Sequence, residues 1–126
     1  MISFDQFSME SGVPIYLQII GYIKRGIVAG TIVDGDEVPS RRMLSALLGV
    51  NPNTVQKSYA MLEEEGLMVS RSGAKSFIQV DETVALKLRQ EILSSGVREL
   101  VAAMKQMGLS KDQALRTMEE FWEVEP

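Results

Sequence analysis

The chain contains no cysteine and no histidine. The first absence rules out disulfides and thiolate chemistry and fits a cytosolic protein. The second removes zinc sites built on imidazole, Ser-His triads and histidine acid–base catalysis together. A carboxylate metal site or a Lys/Asp enzyme stays open in principle, but no motif supports either. No catalytic residue, metal or cofactor is expected. There is also no run of eighteen apolar residues, so no membrane span is expected. The start, Met1-Ile2-Ser3-Phe4-Asp5, lacks the basic flank and apolar stretch of a signal peptide, and a cytoplasmic location is expected. The net charge of −4 argues against a non-specific nucleic-acid coat. What the chain does have is 45% apolar residues over 126 positions, enough for one main core plus an appendage.

The stretch from Val38 to Tyr59 carries the most information. Ser40 is suited to cap a helix in which Leu44, Leu47 and Leu48 fall on one side. Gly49-Val50-Asn51 breaks that helix. Asn51 is a good N-cap for a second one, with Pro52 at the first helical position, where its missing N–H costs nothing. Val55, Tyr59 and Leu62 recur as an inward stripe, leaving Asn53, Thr54, Gln56 and Lys57 outside. Two short helices around a tight turn, the second bearing amides and a base near its N-terminus, form a unit that enters a DNA major groove. Residues 38–60 contain Arg41, Arg42 and Lys57 and no acid, and all three bases are expected to contact DNA. Residues 1–80 carry 7 basic and 8 acidic side chains, whereas residues 81–126 carry 6 and 9, so the acid is concentrated away from this unit.

Around this unit, residues 1–12 read as an arm. Pro14 opens a helix with Tyr16, Ile20, Ile23 and Ile27 as its core stripe and Gly30 as its stop. Asp34-Gly35-Asp36 marks a turn, with a short strand expected before it. Glu63-Glu64-Glu65 closes the second helix of the motif at Gly66. A hairpin follows: Leu67 to Arg71, a tip at Ser72-Gly73-Ala74-Lys75, and Ser76 to Val80 with Phe77 and Val80 as apolar anchors. Placed there, the hairpin reads as a wing, with Arg71 and Lys75 at or beside its tip and expected to reach a minor groove or phosphate. An ordinary hairpin with solvated charges is the plainer reading.

Thr83 is expected to cap a long helix whose Leu93, Val97, Leu100, Met104 and Met107 form a seam that packs on another helix. Gly96 is expected to kink it or allow close approach, and Gly108 to end it. Ser110 and Gln113 form a capping-box pattern for a last helix lined by Leu115, Met118 and Trp122 and widened by Ala114 and Phe121. Two helices are too few to bury this surface alone. Packing on a second copy is the preferred remedy, and packing back on the winged domain the alternative. The expected fold class is mainly α with a small β-wing: a winged helix-turn-helix over residues 1–80 and a two-helix dimerisation tail over residues 81–126.

Four segments in order carry a resemblance: Pro14-Ile15-Tyr16-Leu17-Gln18-Ile19, Pro39-Ser40-Arg41-Arg42-Met43-Leu44, Asn51 through Tyr59, and Leu62-Glu63-Glu64-Glu65-Gly66-Leu67. Together they resemble the GntR family of bacterial transcription regulators, and the short helical tail is similar to its YtrA subfamily. The resemblance implies a homodimeric DNA-binding regulator, often a repressor, acting on double-stranded operator DNA. In that subfamily the controlled genes often include ABC transporters and the regulator's own operon. It assigns operator contact to Arg42, phosphate contact to Ser40, Asn51, Asn53 and Thr54, base reading to Gln56, and close backbone approach to Gly73. Two departures stand out. Pro52 replaces a base-reading arginine of many relatives, and Ala74-Lys75 replaces a common Lys-Gly order in the wing tip.

The chemistry of these residues agrees. Gln bonds adenine in bidentate fashion and Arg bonds guanine, each worth about 1–3 kcal/mol of discrimination. Asn and Thr at a helix N-terminus join backbone N–H groups in holding phosphate. The structural alternatives are an intramolecular salt bridge for Arg42 and a solvated amide for Gln56. The competing function is a protein–protein module that docks a partner on the winged-helix surface. An unidentified small-molecule effector would find room only between the winged domain and the tail, or between protomers.

Overall fold

The computed structural model describes residues 1–71, 73 and 75–124. Five helices and three strands follow the order α1 (Ile15–Ala29), β1 (Glu37–Val38), α2 (Arg41–Leu48), α3 (Pro52–Glu64), β2 (Met68–Arg71), β3 (Lys75–Ile78), α4 (Glu82–Gln106) and α5 (Lys111–Trp122). The strands form one antiparallel sheet in the order β1-β3-β2. The chain divides into two compact units, residues 1–88 and residues 89–126.

In the first unit, α1 packs on α3 through Ile19, Ile23 and Ile27, and α2 contributes Leu44. Val55, Tyr59 and Leu62 of α3 are wholly buried, as their spacing predicts. Gly30, with φ of 81°, ends α1 in the left-handed region that favours glycine. Leu47 departs from expectation. The buried arc of α2 is turned toward Ser45, whose hydroxyl bonds the Val50 carbonyl, so Leu48 is half-buried and Leu47 lies outside. The short strand follows the Asp34-Gly35-Asp36 turn rather than preceding it, because Val38 pairs with Ser76 and is drawn into the core.

The hairpin forms as expected, but its inward face is shifted by one residue. Ser76 and Ile78 point in, while Phe77 and Val80 are half-buried. A polar residue takes the inward position because Ser76 faces Ser70 across the ladder and the two hydroxyls meet at 3.3 Å. Of the expected tip, Ser72 and Ala74 lie outside the described residues.

The N-terminal residues are not a loose arm. Ile2 and Phe4 are buried, the Ile2 N–H bonds the Glu37 carbonyl at 2.8 Å, and Phe4 stacks on Tyr22 with ring centroids 4.8 Å apart. At the other end of this unit, Asp81 rather than Thr83 caps α4: its carboxylate accepts from the Val84 N–H at 2.8 Å. Leu88 is the one buried side chain of α4, and it belongs to this first unit.

In the second unit, α4 continues through Gly96, beside which a Cβ would meet open space in the single chain. The helix ends at Gln106, one residue before Met107. Gly108, with φ of 79°, makes the reversal. The capping box at α5 is formed in both directions: Ser110 Oγ accepts from the Gln113 N–H, and Gln113 Oε1 accepts from the Ser110 N–H. Leu93, Val97, Leu100, Met107, Leu115, Met118, Phe121 and Trp122 are all exposed in the single chain, and Met104 is half-buried. No side chain of α5 is buried. Among the described residues, no helix is long and apolar enough to cross a membrane.

Candidate nucleic-acid interface

The two helices of the motif are started by their own side chains. Ser40 Oγ accepts from the Met43 N–H at 3.1 Å, and Asn51 Oδ1 accepts from the Asn53 N–H at 2.8 Å. Each bond satisfies one of the N–H groups that a helix start leaves orphaned. Gly49, with φ of 67°, makes the turn between them. The angle between α2 and α3 is held from below. The fully buried Tyr59 hydroxyl donates to the Pro39 carbonyl at 2.7 Å, immediately before the cap of α2. Burial pushes the Tyr59 phenol well above the ordinary tyrosine range, and the nearby Arg41 guanidinium opposes the shift only in part. The group therefore stays a neutral donor. Ser58, also fully buried, bonds the Tyr16 carbonyl at 3.0 Å and so ties α3 to the first turn of α1.

With α3 anchored this way, Asn51, Asn53, Gln56 and Lys57 lie exposed along its first turns and Thr54 is half-buried. Arg42 is exposed beside them on α2. On the sheet, Arg71 and Lys75 pair directly across β2 and β3, flanking Gly73 with φ of 80°. Like charges set opposite one another are unfavourable without an anion between them. None of Arg42, Lys57, Arg71 and Lys75 makes an ion pair among the described residues. Lys57 Nζ lies 3.8 Å from the Tyr16 ring centroid and the Arg71 guanidinium 5.1 Å from that of Phe77, so two of the four are steadied by aromatic faces.

Arg41 is placed differently. Its Nη2 pairs with Glu63 at 2.9 Å, its Nε donates to Gln56 Oε1, and its guanidinium sits 5.1 Å over the Tyr59 ring. The intramolecular salt bridge that the sequence reading weighed for Arg42 thus belongs to Arg41. Glu63 also accepts from Ser70 Oγ at 3.1 Å, which carries the network to the base of the wing. Sequence reasoning missed this network and the Tyr59 and Ser58 hydrogen bonds. Nothing in local spacing pairs residues so far apart in the chain.

Comparison with known proteins places these features. Residues 15–78 match the family described as bacterial regulatory proteins, gntR family. The chain is similar to the uncharacterized HTH-type transcriptional regulator YhcF of Bacillus subtilis, at 32% identity over 90% of this chain and 94% of that one. It is also similar to the HTH-type transcriptional repressor YtrA of the same organism, at 32% identity over 76% of this chain and 75% of that one. Among solved structures, a GntR family transcriptional regulator from Listeria monocytogenes superposes with a TM-score of 0.79 and 30% identity, covering 89% of this chain and 98% of that one. These relatives are transcription regulators, not enzymes.

Proposed function

The chain belongs to the GntR family of bacterial transcription regulators, and from that premise we propose that it is a repressor that binds a palindromic operator as a homodimer. The observation that carries the reading is the exposed start of α3, with its capped N-terminus, its amides and a stretch of chain without acid from residue 38 to residue 60, beside a wing bearing Arg71 and Lys75. Asn51, Asn53 and Thr54 take phosphate at the positive end of the helix. Ser40 and Arg42 extend that contact on α2, Gln56 and Lys57 face the groove, and Gly73 lets the wing backbone approach. Arg41, expected among the DNA contacts, is engaged by Glu63 and Gln56.

Residues 1–80 serve as the DNA-binding domain and residues 81–126 as the dimerisation region. The exposed apolar side chains of α4 and α5 support a second copy as their cover, since a monomer rarely leaves so many large apolar groups in water. A twofold assembly sets two recognition helices about one DNA turn, roughly 34 Å, apart. Repression is favoured by the likeness to YtrA, itself a repressor.

Gel shifts in rising salt test the reading. Affinity for the operator should fall steeply with salt as counterions compete. Lys75→Ala and Arg42→Ala should each reduce the slope by about one, as the loss of one phosphate contact does. Salt-independent binding, or no binding to any duplex, would favour a protein-docking surface instead.

A further inference from the structure

The three acids at the end of α3 do not face one way. Glu65 pairs with Lys24 of α1 at 2.9 Å, Glu64 is exposed, and Glu63 turns toward the wing. A carboxylate in the last turn of a helix meets the negative end of the helix dipole, and an acid beside a DNA-binding face repels phosphate. At Glu63 both effects are offset by two donors that reach the same oxygen. Its Oε1 accepts from Arg41 Nη2 at 2.9 Å and from Ser70 Oγ at 3.1 Å. The first donor stands at the start of α2, next to Arg42, and the second stands on β2, next to Arg71. Only 29% of the Arg41 side chain and 32% of the Glu63 side chain are exposed, and the Arg41 guanidinium is steadied over the Tyr59 ring.

The place of this tether in the sheet gives it a task. Ser76 pairs with Val38 on one side and with Ser70 on the other, so that rung spans all three strands. The next rung, Arg71 opposite Lys75, has two strands only, because β1 ends at Val38. A two-stranded ribbon is marginally stable by itself, and like charges set opposite each other weaken it further. Glu63 grips the rung directly beneath through Ser70, whose hydroxyl also meets that of Ser76 at 3.3 Å. We propose that Glu63 is a positioning residue for DNA binding: by joining Ser70 to Arg41, it holds the charged rung of the wing at a fixed place relative to the start of α2. Removing this acid should therefore weaken DNA binding, the reverse of what its charge alone would do. The proposal rests on the DNA contact given to Lys75 in the preceding section. Glu63 acts through Ser70 and the strands behind Lys75, and needs no contact with DNA itself.

The test measures affinity against salt for the duplex that the intact chain selects from a randomised pool. Lys75→Ala is made in the wild type, in Glu63→Ala and in Ser70→Ala. In the wild type it should lower the salt slope by about one, the loss of one phosphate contact. Glu63→Ala and Ser70→Ala should each weaken binding and lower the slope by about one without it, and adding Lys75→Ala to either should then change the slope little. A slope lower by about one alters the affinity lost between 50 and 200 mM salt by about fourfold. Ser70 is exposed and uncharged, so Ser70→Ala leaves the net charge and the core alone, and it decides the matter if Glu63→Ala does not fold. A merely structural role would lower affinity by one factor at every salt concentration and leave the full effect of Lys75→Ala in place, and that result overturns the proposal. Tighter binding by Glu63→Ala overturns it too, since that is the response of an acid that only repels DNA. So does an unchanged slope in Ser70→Ala. If Lys75→Ala leaves the wild-type slope unchanged, the wing makes no phosphate contact there, and that reading of the wing falls together with the proposal.

Discussion

Replacing Tyr59 with phenylalanine deletes one oxygen from the centre of the winged unit. That oxygen donates to the Pro39 carbonyl at 2.7 Å and ties α3 to the start of α2. A typical intramolecular hydrogen bond contributes about 1 kcal/mol net, and a buried carbonyl left without its donor costs about 1–3 kcal/mol. Tyr59→Phe should therefore lower stability by about 1–3 kcal/mol at neutral pH in urea unfolding. The alkaline limb sharpens the test. Burial raises the Tyr59 phenol above the ordinary value of 10.0. A group raised on folding contributes stability that is fully present below its unfolded pKa and is lost as pH rises toward the folded one. Once pH exceeds 10, the wild type loses about 1.4 kcal/mol per pH unit through this group alone. Every other group is common to both proteins and cancels in the difference. The stability gap should thus hold from pH 7 to about 9, then narrow by about 1.4 kcal/mol by pH 11. A gap that stays constant through pH 11 would refute the buried, neutral phenol. A gap near zero at pH 7 would refute the bond to Pro39. Operator affinity should fall with the same substitution, because the bond sets the angle between the two helices.

Two further outcomes follow from packing. Gly26→Ala would place a Cβ 2.4 Å from Cδ1 and 2.8 Å from Cγ1 of the buried Ile32. Alanine gains about 1 kcal/mol of helix propensity, but overpacking costs about 1–3 kcal/mol, so a net loss of up to about 2 kcal/mol is expected in thermal or urea unfolding. A stabilised variant would show that Ile32 yields freely. Removal of residues 89–126 should leave a folded winged unit, whereas removal of residues 81–126 also strips Leu88 from its buried seat and should cost about 2 kcal/mol more. Both truncated chains should sediment as monomers and bind a full palindrome far more weakly than the intact chain, while half-site affinity changes little. Equal melting of the two would place Leu88 outside the winged core.

Much of the helical framework was legible because its signals are local. Ser40, Asn51 and the Ser110–Gln113 pair act within three residues of themselves, and the Val55-Tyr59-Leu62 stripe needs only the helical repeat. The errors arose where a distant partner decides. Ser76 takes an inward place that its polarity argues against because Ser70 meets it across the ladder. Ile2 and Phe4 are buried through Glu37 and Tyr22, and two apolar residues are too few to display a period. Asp81 and Thr83 are both acceptable caps by residue type, and only the bond to Val84 decides between them. At the candidate interface, the exposed face of α3 was readable from its stripe. The hold of Arg41 on Gln56 was not, because it joins two helices through side chains and depends on Glu63 from a third place in the chain.

The two-residue β1 has a consequence for how the molecule folds. Pairing Val38 with Ser76 closes a loop containing the whole helix pair and the first arm of the hairpin. The Ile78 N–H to Asp36 carbonyl bond, and the Gly35 N–H to Ile78 carbonyl bond, clasp the same closure. Loop-closure entropy must be met before such distant contacts are rewarded, whereas helices form from neighbours. The helices and the β2–β3 hairpin can assemble early, and the β1 clasp is the natural last step. A brief local opening there would release the wing from the start of α2 while leaving each helix intact. The same short ladder therefore joins the final event of folding to the hold that the helix pair keeps on the wing.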